Sequence, residues 1–340
     1  MFSKIIIHRV GNKVNQEGVF LSSQELELGE EMKEELEEFF LSAFKSEEQF
    51  QFYSESYLAN NPIYSSVSEI FEDKEKFQWE SENIAKHLFE VAENPRVQGG
   101  ELFVVYFEGE ETEAGKIDSI GIFKMEKKLP FLKINANEED NYHLEKDFGI
   151  GLSKLDKGAI IYNNSKETGY VVSAVDNNKN GDMYYWFEDF LKIRQRDDDF
   201  FHTQETLSVY KDFITQRLPE EYEDVSKADQ ADFLNKSINF FKEKESFNFE
   251  EFTNEVFDGN EDLAESFTNF KTDYEQETQM SISEDFAINS SAVKKQQRYF
   301  KSVIKLDKNF HIYVHGDRKK IETGRDEKGK YYRLYFDEEM

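Results

Sequence analysis

Two runs rich in strand-forming residues, ELFVVYFEG at 101–109 and IDSIGIFKMEK at 117–127, flank the polar connector EETEAGK. No other feature limits the possible folds as strongly. Two β-rich runs joined by a short polar link form an antiparallel hairpin, because a parallel crossover needs a dozen residues or more. The pattern repeats at GAIIYNN (158–164) and GYVVSAVD (169–176), which meet at SKETG. The first half therefore reads as a mainly antiparallel sheet.

Helical spacing supplies the layers to cover it. In GEEMKEELEEFFLSAF, Met32, Leu36, Phe39, Phe40 and Ala43 recur at helical intervals with acids opposite. SENIAKHLFEVA repeats this through Ile84, Leu88 and Val91, with Ser81 placed to cap the helix and His87 structural. From Met183 to about Glu277 the pattern is helical, as in MYYWFEDFLKI and ADQADFLNKSINFFKEK, with Asn248 and Asn260 as caps. The last stretch returns to strands and turns. The expected fold class is α+β: a domain over 1–180 with an antiparallel sheet and helices, a helical region over 183–280, and a basic β-hairpin segment over 285–340. With 33 Phe among 340 residues, the largest cores should be Phe-rich.

The absence of Cys excludes disulfides, thiolate zinc sites and thiol catalysis. The run MFSKIIIHRV is far shorter than a secretion-signal core, and no apolar run reaches the ~18 residues of a membrane span. The expectation is a soluble intracellular protein that makes no membrane contact.

Charge is distributed unevenly. The chain holds 42 basic and 71 acidic residues, a net of −29, which repels nucleic acid at long range. Between Ser291 and Leu334, however, there are thirteen basic and five acidic residues, a local +8 that leaves −37 elsewhere. Such asymmetry points to an anionic partner, although a lysine-rich sheet edge that resists aggregation has the same composition. The candidate DNA contacts are Lys294, Lys295, Arg298, Lys301, Lys305, Lys308, His311, Arg318, Lys319 and Lys320. In FHIYVHG, alternation turns Phe310, Ile312 and Val314 inward and His311, Tyr313 and His315 outward, beside the cations.

Other stretches carry residues of possible catalytic or metal-binding chemistry. VDNNKNG (175–181) matches the first half of a calcium loop at Asp176, Asn178, Asn180 and Gly181. The twelfth position, which must be a bidentate Glu, is Phe187, so the run reads as a strand-to-helix turn. GIGLSKLDKG lacks the phosphate-loop pattern and reads as a turn before Ala159. Glu101, Asp118, Glu126 and Lys128 could form a metal-dependent nuclease site if neighbouring strands bring them together. A third reading has the acidic surface, its carboxylates imitating a phosphate backbone, bind basic or DNA-handling proteins, so that chromosome-handling proteins recruit the chain to the nucleoid.

NIAKHLFE, GGELFVVYF, IGIFKMEKK, LDKGAIIYN, YYWFEDFL and above all AVKKQQRYFKSVIKLDKNFHIYVHG resemble the bacterial nucleoid-associated proteins of the NdpA/YejK type. The resemblance implies a cytoplasmic, nucleoid-localised protein that takes part in chromosome organisation, without a cofactor or an assigned enzymatic activity. Double-stranded DNA is the expected partner. Chromosome topology or condensation proteins are further partners it implies, and homo-oligomerisation stays open.

Overall fold

The structure, a computed structural model, describes residues 2–112, 115–136, 142–178, 185–300, 303–314 and 318–338. Contacts group them into two compact units, Met1–Arg196 and Asp197–Met340. The final strands share a unit with the central helices, and residues 185–196 belong with the sheet.

In the first unit the elements run β1 (Phe2–Val10), β2 (Val19–Phe20), α1 (Glu30–Leu41), β3 (Phe50–Phe52), α2 (Pro62–Glu72), α3 (Phe77–Val91), β4 (Gly100–Thr112), β5 (Gly115–Met125), β6 (Leu129–Ala136), β7 (Tyr142–Gly149), β8 (Lys157–Tyr162) and β9 (Val171–Asp176). A π-helical turn, Tyr185–Leu191, and the short β10 (Ile193–Gln195) close the unit. Eight strands form one sheet in the order β10-β3-β9-β8-β5-β4-β1-β2, every pair antiparallel. The expected β4–β5 and β8–β9 hairpins lie at its centre.

This sheet is covered on both faces, which is why its central strands are apolar throughout rather than alternating. Leu102, Val104 and Tyr106 face a core built with Ile63, Val67 and Ile70 of α2 and Ile84 and Leu88 of α3. Phe103, Val105 and Phe107 face the opposite core with Phe39 and Phe40 of α1. There Phe40 stacks on Phe123 with centroids 4.2 Å apart. Gly121 makes room for that packing, since a Cβ would come within 2.4 Å of the Phe123 ring and 2.9 Å of Phe107. Met32 remains exposed on α1.

Helix α3 begins at Phe77, so Ser81 lies a turn inside it rather than capping it. The local N-terminal signal belongs instead to Asp73, whose carboxylate accepts from Glu75 N at 3.1 Å in the preceding 3-10 turn. Buried Ser81 serves His8, at 3.0 Å from Nε2. His87 is structural: its Nε2 lies 3.1 Å from the Phe190 carbonyl, and burial lowers its pKa.

Strands β6 and β7 form a separate two-stranded ribbon that the sequence reading passed over. Almost every residue on it is exposed. One face pairs Pro130 with Phe148, Leu132 with Lys146, Ile134 with Leu144 and Ala136 with Tyr142, and is mostly apolar.

The second unit contains α4 (Asp199–Asp212), a π turn (Phe213–Arg217), α5 (Leu218–Glu221), α6 (Lys227–Glu243), β11 (Ser246–Asn248), α7 (Phe249–Val256), α8 (Glu261–Thr278), β12 (Asp285–Ala287) and α9 (Ser290–Gln297). Two hairpins follow: β13 (Val303–Leu306) with β14 (Phe310–Tyr313), then β15 (Ile321–Asp326) with β16 (Gly329–Leu334). Asn248 and Asn260 cap α7 and α8 by accepting from Glu251 N and Leu263 N. A reciprocal Ser226–Asp229 capping box starts α6. The core is rich in Phe, with Phe213, Phe240, Phe241, Phe247, Phe252, Phe257 and Phe267 among its members. A smaller cluster joins Ala228 and Ala231 of α6 to Ile304, Val314 and Ile321 of the hairpins. The α+β class read from the sequence is the class observed.

Candidate nucleic-acid interface

The basic segment starts on α9. Asn289 caps this helix, accepting from Ser291 N and Ala292 N, and Ala292 and Val293 are buried beneath it. That anchoring leaves Lys294 exposed, with Lys295 near the helix C-terminus, where the backbone dipole favours cations. Lys295 Nζ lies 5.4 Å from the Phe200 ring, and the Arg298 guanidinium lies 4.7 Å from that of Tyr299. Lys301 lies outside the described residues.

In the first hairpin, register and alternation decide which side chains meet solvent. Ile304 and Ile312 pair on the inner face, against α6, and Val314 is buried. Lys305 stands opposite His311, and Val303 opposite Tyr313, on the outer face. Lys308 sits exposed in the turn, where Asp307 has φ +46° and its carboxylate accepts from Asn309 N at 2.8 Å. Phe310, expected inside, is exposed, while its cross-strand partner Leu306 packs against the helix-facing cluster.

Arg318, Lys319 and Lys320 form a single 3-10 turn. Arg318 has a structural partner: its Nε donates to Asp229 Oδ1 at 2.7 Å and its Nη1 to the Ile321 carbonyl, which ties the second hairpin to α6. Burial raises the Asp229 pKa, but hydrogen bonds from Ser226 and Arg318 outweigh it and hold the carboxyl below its usual range. Lys320 pairs with Asp337. Lys294, Arg298, Lys305, Lys308, His311 and Lys319 are exposed. Apart from Tyr313, the sequence reading placed no exposed aromatics among these cations. Tyr299, Phe310, Tyr331, Tyr335 and Phe336 are all exposed, and the only sequence signal was their recurrence between basic residues.

The nuclease constellation is not assembled. Glu101 pairs across the ladder with Met125, next to Glu126, but Asp118 lies beside Ser119, which pairs with Phe107 at the other end. Seven residues of strand separate Asp118 from Met125, roughly 23 Å. Asp118 is bound there by Tyr106 Oη at 2.6 Å, Gly109 N at 2.9 Å and Lys74 at 3.2 Å. These hydrogen bonds overcome burial and hold its pKa low. Lys128 is paired with Glu101 at 2.7 Å. Among the described residues no group of three or more His, Cys, Asp or Glu could hold a metal ion.

Glu126 belongs to a buried network that sequence reasoning did not foresee. Lys124 Nζ donates to Glu126 Oε1 at 3.0 Å and to the Gln98 carbonyl at 2.7 Å, and Tyr185 Oη donates to the same carboxylate at 3.0 Å. Lys157 Nζ meets both oxygens of Asp176 at 2.8 Å, so the first carboxylate of the calcium-like run is held by an ammonium. Burial keeps Lys124 below the usual lysine range, whereas Lys124 and Lys157 outweigh burial at Glu126 and keep it below the usual carboxylate range. The one hint in the sequence was a lysine inside the otherwise apolar run IGIFKM.

A cleft of about 590 Å³ opens beside this network, lined by Glu90, Glu93, Asn94, Tyr185, Asp189 and Lys192, among others. Three carboxylates around one lysine repel phosphate. The exposed cations of the basic segment lie on the C-terminal hairpins, the turn between them and α9.

Fold and charge together define a class: a mixed α+β protein of two units whose basic residues are concentrated in the last segment of an otherwise acidic chain. The chain belongs to the family of the nucleoid-associated protein YejK, whose model matches residues 6–328. That span includes the sheet, the helical core and nearly all of the basic segment. The family is one of nucleoid-associated proteins, not a known enzyme family, and membership implies a nucleoid location. No curated protein matches the chain. Among the described residues no helix is long and apolar enough to cross a membrane.

Proposed function

We propose that this chain is a cytoplasmic protein that associates with the chromosome by binding double-stranded DNA directly, without sequence preference, through its basic C-terminal segment. The observation that carries this reading is exposure: Lys294, Arg298, Lys305, Lys308, His311 and Lys319 all reach solvent within a stretch of +8. Lysine meets a phosphate as a point charge and arginine grips it with two hydrogen bonds, so neither needs a particular base. The contacts are spread over a helix end, the first C-terminal hairpin and the 3-10 turn after it, and among the described residues no helix bears a row of base-reading side chains. This favours binding to the backbone over an operator sequence. The remaining −37 charges restrict which face can approach a duplex.

If about five phosphates are neutralised, log K falls against log salt with a slope of roughly −4 to −5. The test is the triple reversal Lys294→Glu, Arg298→Glu and Lys308→Glu, compared with Lys45→Glu and Lys127→Glu on the exposed surface of the first unit. Mobility shifts should show binding lost with the first set for every duplex sequence and retained with the second. Equal loss from both sets, or no wild-type binding at low salt, would reject direct contact and leave recruitment by a chromosome-handling protein.

A further inference from the structure

The tyrosines of the basic segment have no task in duplex binding. A duplex presents phosphates and base edges, while the flat faces of its bases are covered by their neighbours, so cations alone suffice for that contact. Yet the outer face of each hairpin carries a tyrosine. On β13–β14, Tyr313 is 63% exposed and shares its face with Lys305 and His311. On β15–β16, Tyr331 is 37% exposed and lies across Gly324, where a Cβ would meet the ring at 2.4 Å. The Arg333 guanidinium lies 5.7 Å from the Tyr331 centroid and also reaches Glu322 at 3.2 Å.

Burial does not explain these positions. The inner faces, through Ile304, Ile312, Ile321 and Tyr332, already supply the apolar contact with α6. Strand alternation then turns Tyr313 and Tyr331 outward. An outward tyrosine beside a cation suits an unpaired nucleotide: the base stacks on the ring or on the guanidinium plane, and the phosphate meets the charge. Every base has a π-face, so such contacts impose no sequence, in keeping with the absence of a base-reading helix.

We propose that the outer faces of the two C-terminal hairpins bind an unpaired polynucleotide strand, with bases stacked on Tyr313 and Tyr331 and phosphates held by Lys305 and Arg333. The basic segment then favours single-stranded over double-stranded nucleic acid. This inference rests on the reading of that segment as a DNA contact and adds the strandedness of its ligand.

The experiment is fluorescence anisotropy of the full chain with labelled oligo-dT, oligo-U and a duplex of equal length, at one salt concentration. Oligo-dT should bind more tightly than the duplex by roughly tenfold, and Tyr313→Ala or Tyr331→Ala should each weaken it by about tenfold. Duplex binding should stay within about twofold, because phosphate contacts do not use the rings. Tyr313→Phe should retain the wild-type affinity for oligo-dT, since it keeps a stacking ring. Oligo-U bound as well as oligo-dT, or in preference to it, supports an unpaired strand and decides whether the sugar hydroxyl is read. A duplex bound as tightly as either single strand, or alanine variants that weaken all probes equally, overturns the inference and leaves the duplex reading standing. If no probe binds, both readings fail.

Discussion

His8 shows how one side chain couples a strand to a helix and to pH. Its Nδ1 accepts from Ser22 N at 3.1 Å, so the ring proton sits on Nε2 and is donated to Ser81 Oγ, 3.0 Å away. Ser81 Oγ in turn donates to the Gln78 carbonyl at 2.6 Å. A second proton would have to go on Nδ1, opposite an N–H that already points at it. Burial accordingly lowers the His8 pKa to about 4. Between that value and the ordinary 6.5, the unfolded chain takes up a proton that the folded chain refuses. Stability should therefore fall as pH drops through this window, by on the order of 2 kcal/mol. Urea melts from pH 7 to pH 4 check this, and His8→Gln should flatten that part of the profile. The Lys124–Glu126 pair gives a second prediction at this scale. Lys124→Ala leaves a buried carboxylate without its ammonium and should lower the denaturation midpoint by the equivalent of about 3–5 kcal/mol. Lys128→Ala, which removes a half-exposed partner of Glu101, should cost about 1 kcal/mol or less.

Among the elements, the sheet and the β6–β7 ribbon differ sharply in what they bury. Ile122 of β5 is fully buried between sheet and helices, so Ile122→Ala should cost about 2–5 kcal/mol. Leu132 and Ile134 are each 64% exposed, and replacing both with Ser should change stability by no more than about 0.5 kcal/mol each. Calorimetric midpoints for the two sets check the contrast. Much of this organisation was legible beforehand. The runs at 101–109 and 117–127 announced their hairpin, and Asn248 and Asn260 announced their helices, because these signals depend on residues only a few positions apart. The three-residue strand β10 was not legible. Ile193–Gln195 has too few residues to show a period, and only its pairing with Phe50–Phe52 makes it a strand.

At the scale of the whole molecule, each unit has its own core. The first is built on the sheet and the second on the phenylalanines of the helical bundle. A unit with its own core folds alone, and the boundary between such units is where cleavage is tolerated. Fragments 1–196 and 197–340 should each unfold cooperatively, and limited proteolysis should cut near Arg196. Two fragments that unfold only without cooperativity would contradict the division. Charge also acts at this scale, since the net −29 belongs to the chain while +8 belongs to one segment of the second unit.

The sequence by itself determined the antiparallel pairing, the capped helices, the Phe-rich core of the helical unit and the concentration of basic charge, because each is written in composition or in spacings of two to four residues. Tertiary structure alone decided which charges are available and which are committed. Arg318 was one cation among many until folding brought Asp229 to it from 89 positions away. Asp118 and Glu126 were neighbours in a plausible site until the β4–β5 register put them at opposite ends of a strand. Lys124 is buried only because both faces of the sheet are covered, and Glu126 reaches it there at 3.0 Å. Local periodicity states which way a side chain points, but the partner it meets depends on register and long-range packing, and no short stretch of sequence contains these.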